Sequence, residues 1–160
     1  HFSDKNRPII GINFFGSGGI CYFSLQTWRE IIQTIAQEFR ACNFIILTAP
    51  PHKLKSFDIP NIAIFANNAD LLNLVAITER FSALISIDTG NVHIADNLRI
   101  PTLGISTPKM AKKWRGGTYG GKFAQFIMPI SGEHNDLLYK EALLDYARAQ
   151  IPMLIESSSQ

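Results

Sequence analysis

Short apolar runs recur along the chain and predict buried β-strands. Runs of this kind lie at residues 8–15, 44–48, 62–65, 83–87, 102–105 and 126–128. Pro50 and Pro51 end the second run, because proline cannot donate a hydrogen bond to a neighbouring strand. Most runs are continuously apolar rather than alternating, which is typical of strands that are covered on both faces.

Segments with apolar residues at helical spacing separate these runs and predict helices. The first covers residues 25–41, where Trp28, Ile31 and Ile35 share one face and Ser24 precedes it as a cap. Further helices are predicted over residues 70–80, 91–98 and 136–150. Strands and helices therefore alternate. This alternation predicts an α/β fold, a Rossmann-like parallel sheet with helices on both faces.

The composition is that of one globular domain over residues 1–160, with 46% hydrophobic and 18% charged residues. The net charge of +2 does not call for a nucleic-acid partner. Two cysteines, Cys21 and Cys42, are too few for a disulfide framework and lack the spacing of a zinc site, which favours the cytoplasm and no metal. No signal peptide or membrane span is recognisable. His1 in place of an initiating Met points to a processed product, a tag remnant or an excised piece.

Ligands of open parallel α/β sheets bind beyond the carboxyl ends of the strands. The residues that directly follow predicted strands are therefore candidates, and they are 16–19, 48–52, 65–68, 88–93 and 106–108. The turn at Asp88, Thr89 and Gly90 has the most chemical content, since a new helix begins there and its N–H groups attract anions. Asp88 would fix the turn or cap the helix, and His93 would donate to a phosphate or pack. From the residues alone, helix capping and ligand binding both remain open.

Other nucleotide motifs fail. Gly16 and Gly18 fit the G-x-G-x-x-G pattern of dinucleotide-binding proteins, but Cys21 stands at its third glycine position, and no Walker loop is present. The segment 109–122 is rich in glycine and basic residues, which include Lys109, Lys112, Lys113, Arg115 and Lys122. This segment is a phosphate-binding loop, a patch for an anionic membrane or an ordinary solvated loop.

The strand 83–87, the Asp88-Thr89-Gly90 turn with His93, and the proline-led strand ending near Pro108 together resemble glycosyltransferase family 9, the lipopolysaccharide heptosyltransferases. The resemblance extends from Trp28 to the glycine loop and covers most of the chain. It implies the C-terminal, donor-binding half of a GT-B glycosyltransferase, with the N-terminal acceptor domain absent from this chain. The implied donor is an ADP-sugar such as ADP-heptose, and no cofactor or metal is implied.

By the family pattern, Thr89 and Gly90 bind the donor diphosphate, Asp88 shapes the turn, and Gly16 and Ser17 line the same cleft. The resemblance implies inverting transfer to a lipid-linked saccharide, with the catalytic base on the absent domain, in a cytoplasmic protein that is peripheral to the inner membrane. An isolated chain would then bind donor weakly and transfer no sugar.

The chain departs from the family at Cys21, where a lysine is usual, and at Lys53, where an acid is usual. Lys53, Lys109 or Lys122 would compensate for the lost phosphate charge. Alternatively, the chain is a degenerate, non-catalytic nucleotide-sugar binding or interaction module, or another GT-B protein such as a sugar epimerase.

Overall fold

Parallel strands form the central sheet of this computed structural model, which describes residues 2, 4, 6–16, 19–20, 22–48, 50, 54–68, 70–113, 116–128 and 135–157. The strands of this sheet are β1 (Ile9–Asn13), β4 (Asn43–Thr48), β5 (Ile62–Ala66), β6 (Ala83–Ile87), β7 (Thr102–Ser106) and β8 (Phe123–Ile127). A small antiparallel hairpin of β2 (Phe15–Gly16) and β3 (Gly19–Ile20) follows β1. The strand order is β5-β4-β1-β6-β7-β8. It is the usual order of a Rossmann fold, in which the chain reverses direction across the sheet after β5.

Helices follow several of the strands along the described part of the chain. They are α1 (Leu25–Glu38), α2 (Leu71–Thr78), α3 (Gly90–Asn97), α4 (Pro108–Lys113), α5 (Asn135–Leu138) and α6 (Lys140–Ser157). The predicted cap of α1 is confirmed, since the Ser24 side chain accepts from the Thr27 N–H. Asp70, predicted as the first residue of its helix, is instead the N-cap of α2 and accepts from the Leu72 N–H.

Two hydrophobic cores lie on opposite faces of the sheet, because successive side chains of a strand point to opposite sides. Phe44 and Ile46 belong to the larger core, which α1 and α6 cover. Ile45 and Leu47 belong to the smaller core, against which residues of α2 and α3 pack. The predicted Rossmann-like sheet with helices on both faces is therefore confirmed.

The structure corrects the predicted elements at three places. The first predicted strand, 8–15, is shorter in the structure, where β1 ends at Asn13. The residues after it form the β2–β3 hairpin, which was not predicted. The basic segment 109–122 is not all loop: Thr107 accepts a hydrogen bond from the Met110 N–H, and α4 begins at Pro108. The last strand starts earlier than predicted, at Phe123, because its ring packs where Gly104 and Gly116 have no side chain.

The closing helix also differs from the prediction, since it is divided into α5 and α6 and runs beyond residue 150. Pro152 lies inside α6. Burial of Ile151 and Leu154, both 0% exposed, holds the helix through this proline.

Candidate functional site

The turn after β6 lies at the topological switch point of the sheet. β1 pairs with β4 on one side and with β6 on the other. The connections from β1 and from β6 therefore leave in opposite directions, which opens a crevice between the ends of these two strands. The predicted turn, Asp88 to Gly90, begins at this crevice directly after Ile87.

Asn13, the last residue of β1, links the two strands at this point. Its Nδ2 donates to Thr89 Oγ1 at 3.0 Å and to Ser86 Oγ at 3.3 Å. Its Oδ1 accepts from the Phe15 N–H at 3.4 Å. Asn13 is buried, so these bonds satisfy a side chain that would otherwise be costly to bury. Sequence reasoning missed Asn13, and the signal was its position at the end of an apolar strand.

Thr89 is the N-cap residue of α3, yet its hydroxyl makes no capping hydrogen bond. The caps of the other helices that follow strands behave differently: Ser24, Asp70 and Thr107 each accept from an N–H of the first turn. Thr89 Oγ1 accepts from Asn13 instead, which leaves its O–H available as a donor. Side-chain capping, which the sequence left open for this turn, is therefore not made by Thr89.

Gly90 begins α3 and is exposed. A Cβ added to Gly90 would meet nothing within 4 Å, and Gly90 is not among the described glycines with positive φ. The fold therefore gives no steric or conformational reason for glycine here. A depression beside the turn, lined in part by Thr89, Val92 and Gly104, holds only about 10 Å³, so an anion would lie above the turn at the open edge.

Asp88 contacts the segment that follows the β2–β3 hairpin. Its Oδ1 accepts from the Tyr22 phenol at 2.5 Å, while its N–H donates to the Ile105 carbonyl at 3.1 Å. Gly16 pairs with Gly19 in this hairpin, and Tyr22, which contacts Asp88, follows three residues after Gly19. Ser17, the other predicted residue of the first turn, is outside the described residues.

The predicted basic residues are distributed over both edges of the sheet. Lys109 lies in the first turn of α4 and is exposed at the carboxyl edge. Lys122 precedes β8 at the opposite edge, where its Nζ donates to the Met153 carbonyl at 3.1 Å. Lys122 is therefore too far along the strand to reach the turn, and Lys53 is outside the described residues. His93 lies in the first turn of α3 and is half-buried.

A cavity of about 420 Å³ lies at the end of β5 and along α2. Phe65, Asn67, Asn73 and Arg80 contribute to its lining. The Oδ1 atom of Asn67 is buried and has no hydrogen-bond partner within the described part of the chain. An unpaired buried acceptor is costly, so Asn67 is an exception to the usual pairing of buried polar atoms.

Within the described residues, no group of three or more His, Cys, Asp or Glu side chains could hold a metal ion. None of the helices that the structure describes is both long and apolar enough to cross a membrane.

The chain is similar in sequence to a Haemophilus influenzae protein provisionally named a glycosyltransferase. The two are 24% identical over 164 residues, which cover 97% of this chain and 47% of that protein. No protein-family model matches the chain.

Solved structures of heptosyltransferases share the fold at 14% sequence identity. The chain matches E. coli ADP-heptose lipopolysaccharide heptosyltransferase II with a TM-score of 0.68, over 98% of this chain and 49% of that one. E. coli heptosyltransferase WaaC with ADP matches with 0.67, over 94% and 46%. A family 9 glycosyl transferase from Veillonella parvula matches with 0.64, over 96% and 48%.

The predicted resemblance to glycosyltransferase family 9 is thereby confirmed at the level of the fold. The chain spans about half the length of each protein it matches. This extent agrees with a Rossmann-like half of a GT-B protein.

Proposed function

We propose that this chain is the donor-binding half of an inverting, family 9 type glycosyltransferase. In the intact protein it would bind an ADP-sugar and present a heptose, or a related sugar, for transfer to the lipopolysaccharide core. The acceptor would be a lipid-linked saccharide that the other half binds. Such a protein would act in the cytoplasm at the surface of the inner membrane.

The observation that carries this proposal is the start of α3. The first N–H groups of an α-helix lack the usual helical partners. In α3 the Val92 N–H donates to the Thr89 carbonyl at 3.1 Å, but the Thr89 side chain caps none of these groups. Gly90 has no side chain, so the space beside these groups stays open, and no other atom lies within 4 Å of the position that a Cβ would take. An uncapped helix start, an available hydroxyl and an unfilled space together favour an anion such as a diphosphate.

The charge of the diphosphate increases when the sugar is transferred. An acceptor hydroxyl would attack the anomeric carbon and the bond from that carbon to the diphosphate oxygen would break, so ADP leaves with an additional negative charge. The α3 N-terminus and the Thr89 hydroxyl would stabilise this charge, and Lys109 would add a cation at the same edge. The base that accepts the hydroxyl proton would lie on the other half.

The nucleoside would extend from the turn toward β5. β6 and β5 are separated by β1 and β4, and three strand spacings amount to roughly 14 Å. A nucleoside diphosphate in an extended conformation has this order of length. The cavity at the end of β5, which Phe65 and Asn67 line in part, would receive the base.

A titration with ADP tests the proposal, with UDP as the matched control nucleotide. We expect ADP to shift the amide NMR signals of Thr89 and Gly90, and UDP to shift them less. If neither nucleotide moves these signals, the non-catalytic interaction module is the better description of the chain. Equal shifts with both would remove the argument for an ADP-sugar.

A further inference from the structure

Tyr22 has a backbone conformation that tyrosine rarely adopts. Its φ is +73°, in the left-handed region, whereas the nearby Gly19, with φ of +108°, is a residue that tolerates positive φ. A bulky residue held in this region is strained and persists only where its surroundings impose it. Tyr22 is also 9% exposed, so its ring is fixed by packing.

The strained backbone places the phenol of Tyr22 against the turn. The Tyr22 hydroxyl donates to Asp88 Oδ1 at 2.5 Å, a distance typical of a strong bond to a carboxylate. This bond joins residues that are 66 positions apart. It connects the loop after β3 to the loop after β6, at the two sides of the switch point.

We infer that Tyr22 is a positioning residue for the diphosphate turn, an inference that rests on the proposed function. Asp88 carries a negative charge next to the proposed anion site and would repel a diphosphate. The Tyr22 hydroxyl donates to this carboxylate and fixes its orientation. It also ties the first loop to the turn before a ligand arrives, so less ordering is required upon binding.

The position of Tyr22 supports a role in binding as well as in folding. Glycine or asparagine would occupy this φ with less strain, and neither could reach Asp88 with a phenol. Departures from local preference concentrate at functional sites, where the strain serves an arrangement that folding alone does not require. The bond is therefore expected to affect ligand affinity more than melting temperature.

The test is a double-mutant cycle on ADP affinity, measured by isothermal titration calorimetry. Tyr22→Phe removes only the hydroxyl and should weaken ADP binding roughly tenfold, since a hydrogen bond to a charged group is lost. In an Asp88→Ala background, Tyr22→Phe should cause no further loss. Tyr146→Phe is the matched control, because Tyr146 packs against Phe126 away from the turn. This control should bind ADP like the wild type.

Asp88→Asn keeps an oxygen that accepts from Tyr22 and removes the repelling charge. It should therefore bind ADP at least as tightly as the wild type, while Asp88→Ala should bind more weakly. This comparison tests the inference even if Tyr22→Phe fails to fold. Three results would overturn the inference. They are wild-type ADP affinity in a folded Tyr22→Phe, an equal loss of affinity when Tyr22→Phe is made in the Asp88→Ala background, and weak ADP binding by a folded Asp88→Asn. Absence of ADP binding by the wild-type chain would instead overturn the proposed function, and this inference with it.

Discussion

Gly11 and Gly90 are both glycines, but an added side chain would meet different surroundings at the two positions. A Cβ on Gly11 would lie 2.2 Å from a ring carbon of Phe81, so the packing of β1 excludes any side chain there. A Cβ on Gly90 would extend into open space. Gly11 is thus a packing glycine, whereas the packing of the described residues does not require a glycine at position 90.

Gly11→Ala should lower the free energy of unfolding by about 1–3 kcal/mol, because the added methyl group overpacks the smaller core. Urea denaturation measures this change. Phe81→Leu in the same chain should recover part of the loss, since the smaller side chain removes the clash. Gly90→Ala is the control at an open position and should not destabilise the fold.

Thr89 offers a second test at the level of one atom. Thr89→Val removes the hydroxyl and should weaken ADP binding by about tenfold, because a donor to the diphosphate is lost. Thr89→Ser retains the hydroxyl and should bind within a few-fold of the wild type. Calorimetric titration of both variants distinguishes the hydroxyl from the methyl group, and equal affinity would rule out the proposed contact.

The residues of the turn could be predicted from the sequence, but their partners could not. Asp88, Thr89 and Gly90 are contiguous and precede a helix, so local rules suffice to select them. Asn13 and Tyr22 reach the same turn from 76 and 66 positions away. Such contacts depend on which strands become neighbours, and no local pattern encodes that.

At the scale of elements, ion pairs connect the two helices of the larger core. Arg148 on α6 donates to both carboxylate oxygens of Glu38 on α1, at 2.9 and 2.7 Å. Lys140 donates to Glu30 at 2.7 Å. The hydrogen bond from Arg148 holds the pKa of Glu38 below its usual value, and the bond from Lys140 does the same to the pKa of Glu30.

These pairs predict a pH dependence of stability. A carboxylate whose pKa is lowered by folding stabilises the fold above its unfolded pKa, and this contribution is lost as pH falls through the folded pKa. Unfolding free energy should therefore decrease in acid, below about pH 4.5. Arg148→Ala should reduce the part of this decrease that Glu38 contributes. Both side chains are largely exposed, so the effect should be small and should diminish with salt.

Urea denaturation at pH 7 and pH 4, at low and high salt, measures this effect. Arg80→Ala, an exposed arginine after α2 on the other face of the sheet, is the matched control. An Arg148→Ala protein with the same pH dependence as the wild type and the control would contradict the assignment.

Most elements could be predicted because their apolar patterns are strong: α1 has helical periodicity, and β4 is a continuous apolar run. The exceptions have tertiary causes. The β2–β3 hairpin is only two residues long on each side, too short for a periodic signal. In α6, burial of Ile151 and Leu154 overrides the helix-breaking tendency of Pro152.

At the scale of the whole molecule, the chain corresponds to about half of each heptosyltransferase that shares its fold. The proposed function assigns the catalytic base and the acceptor site to another half. This chain alone should therefore bind ADP and transfer no sugar. Release of ADP from ADP-heptose, measured with a lipopolysaccharide-core acceptor present, should stay at the level without protein. Sugar transfer by the chain alone would show that it carries its own base.

Calorimetric titration of the wild type, Gly90→Ala and Gly90→Val with ADP tests the central claim most directly. The Cβ that each substitution adds would meet no atom within 4 Å, so the melting temperature of Gly90→Ala should not fall. If the diphosphate lies against the start of α3, affinity should decrease in Gly90→Ala and by at least about tenfold in Gly90→Val. If both variants bind ADP as tightly as the wild type, the diphosphate does not lie on this turn.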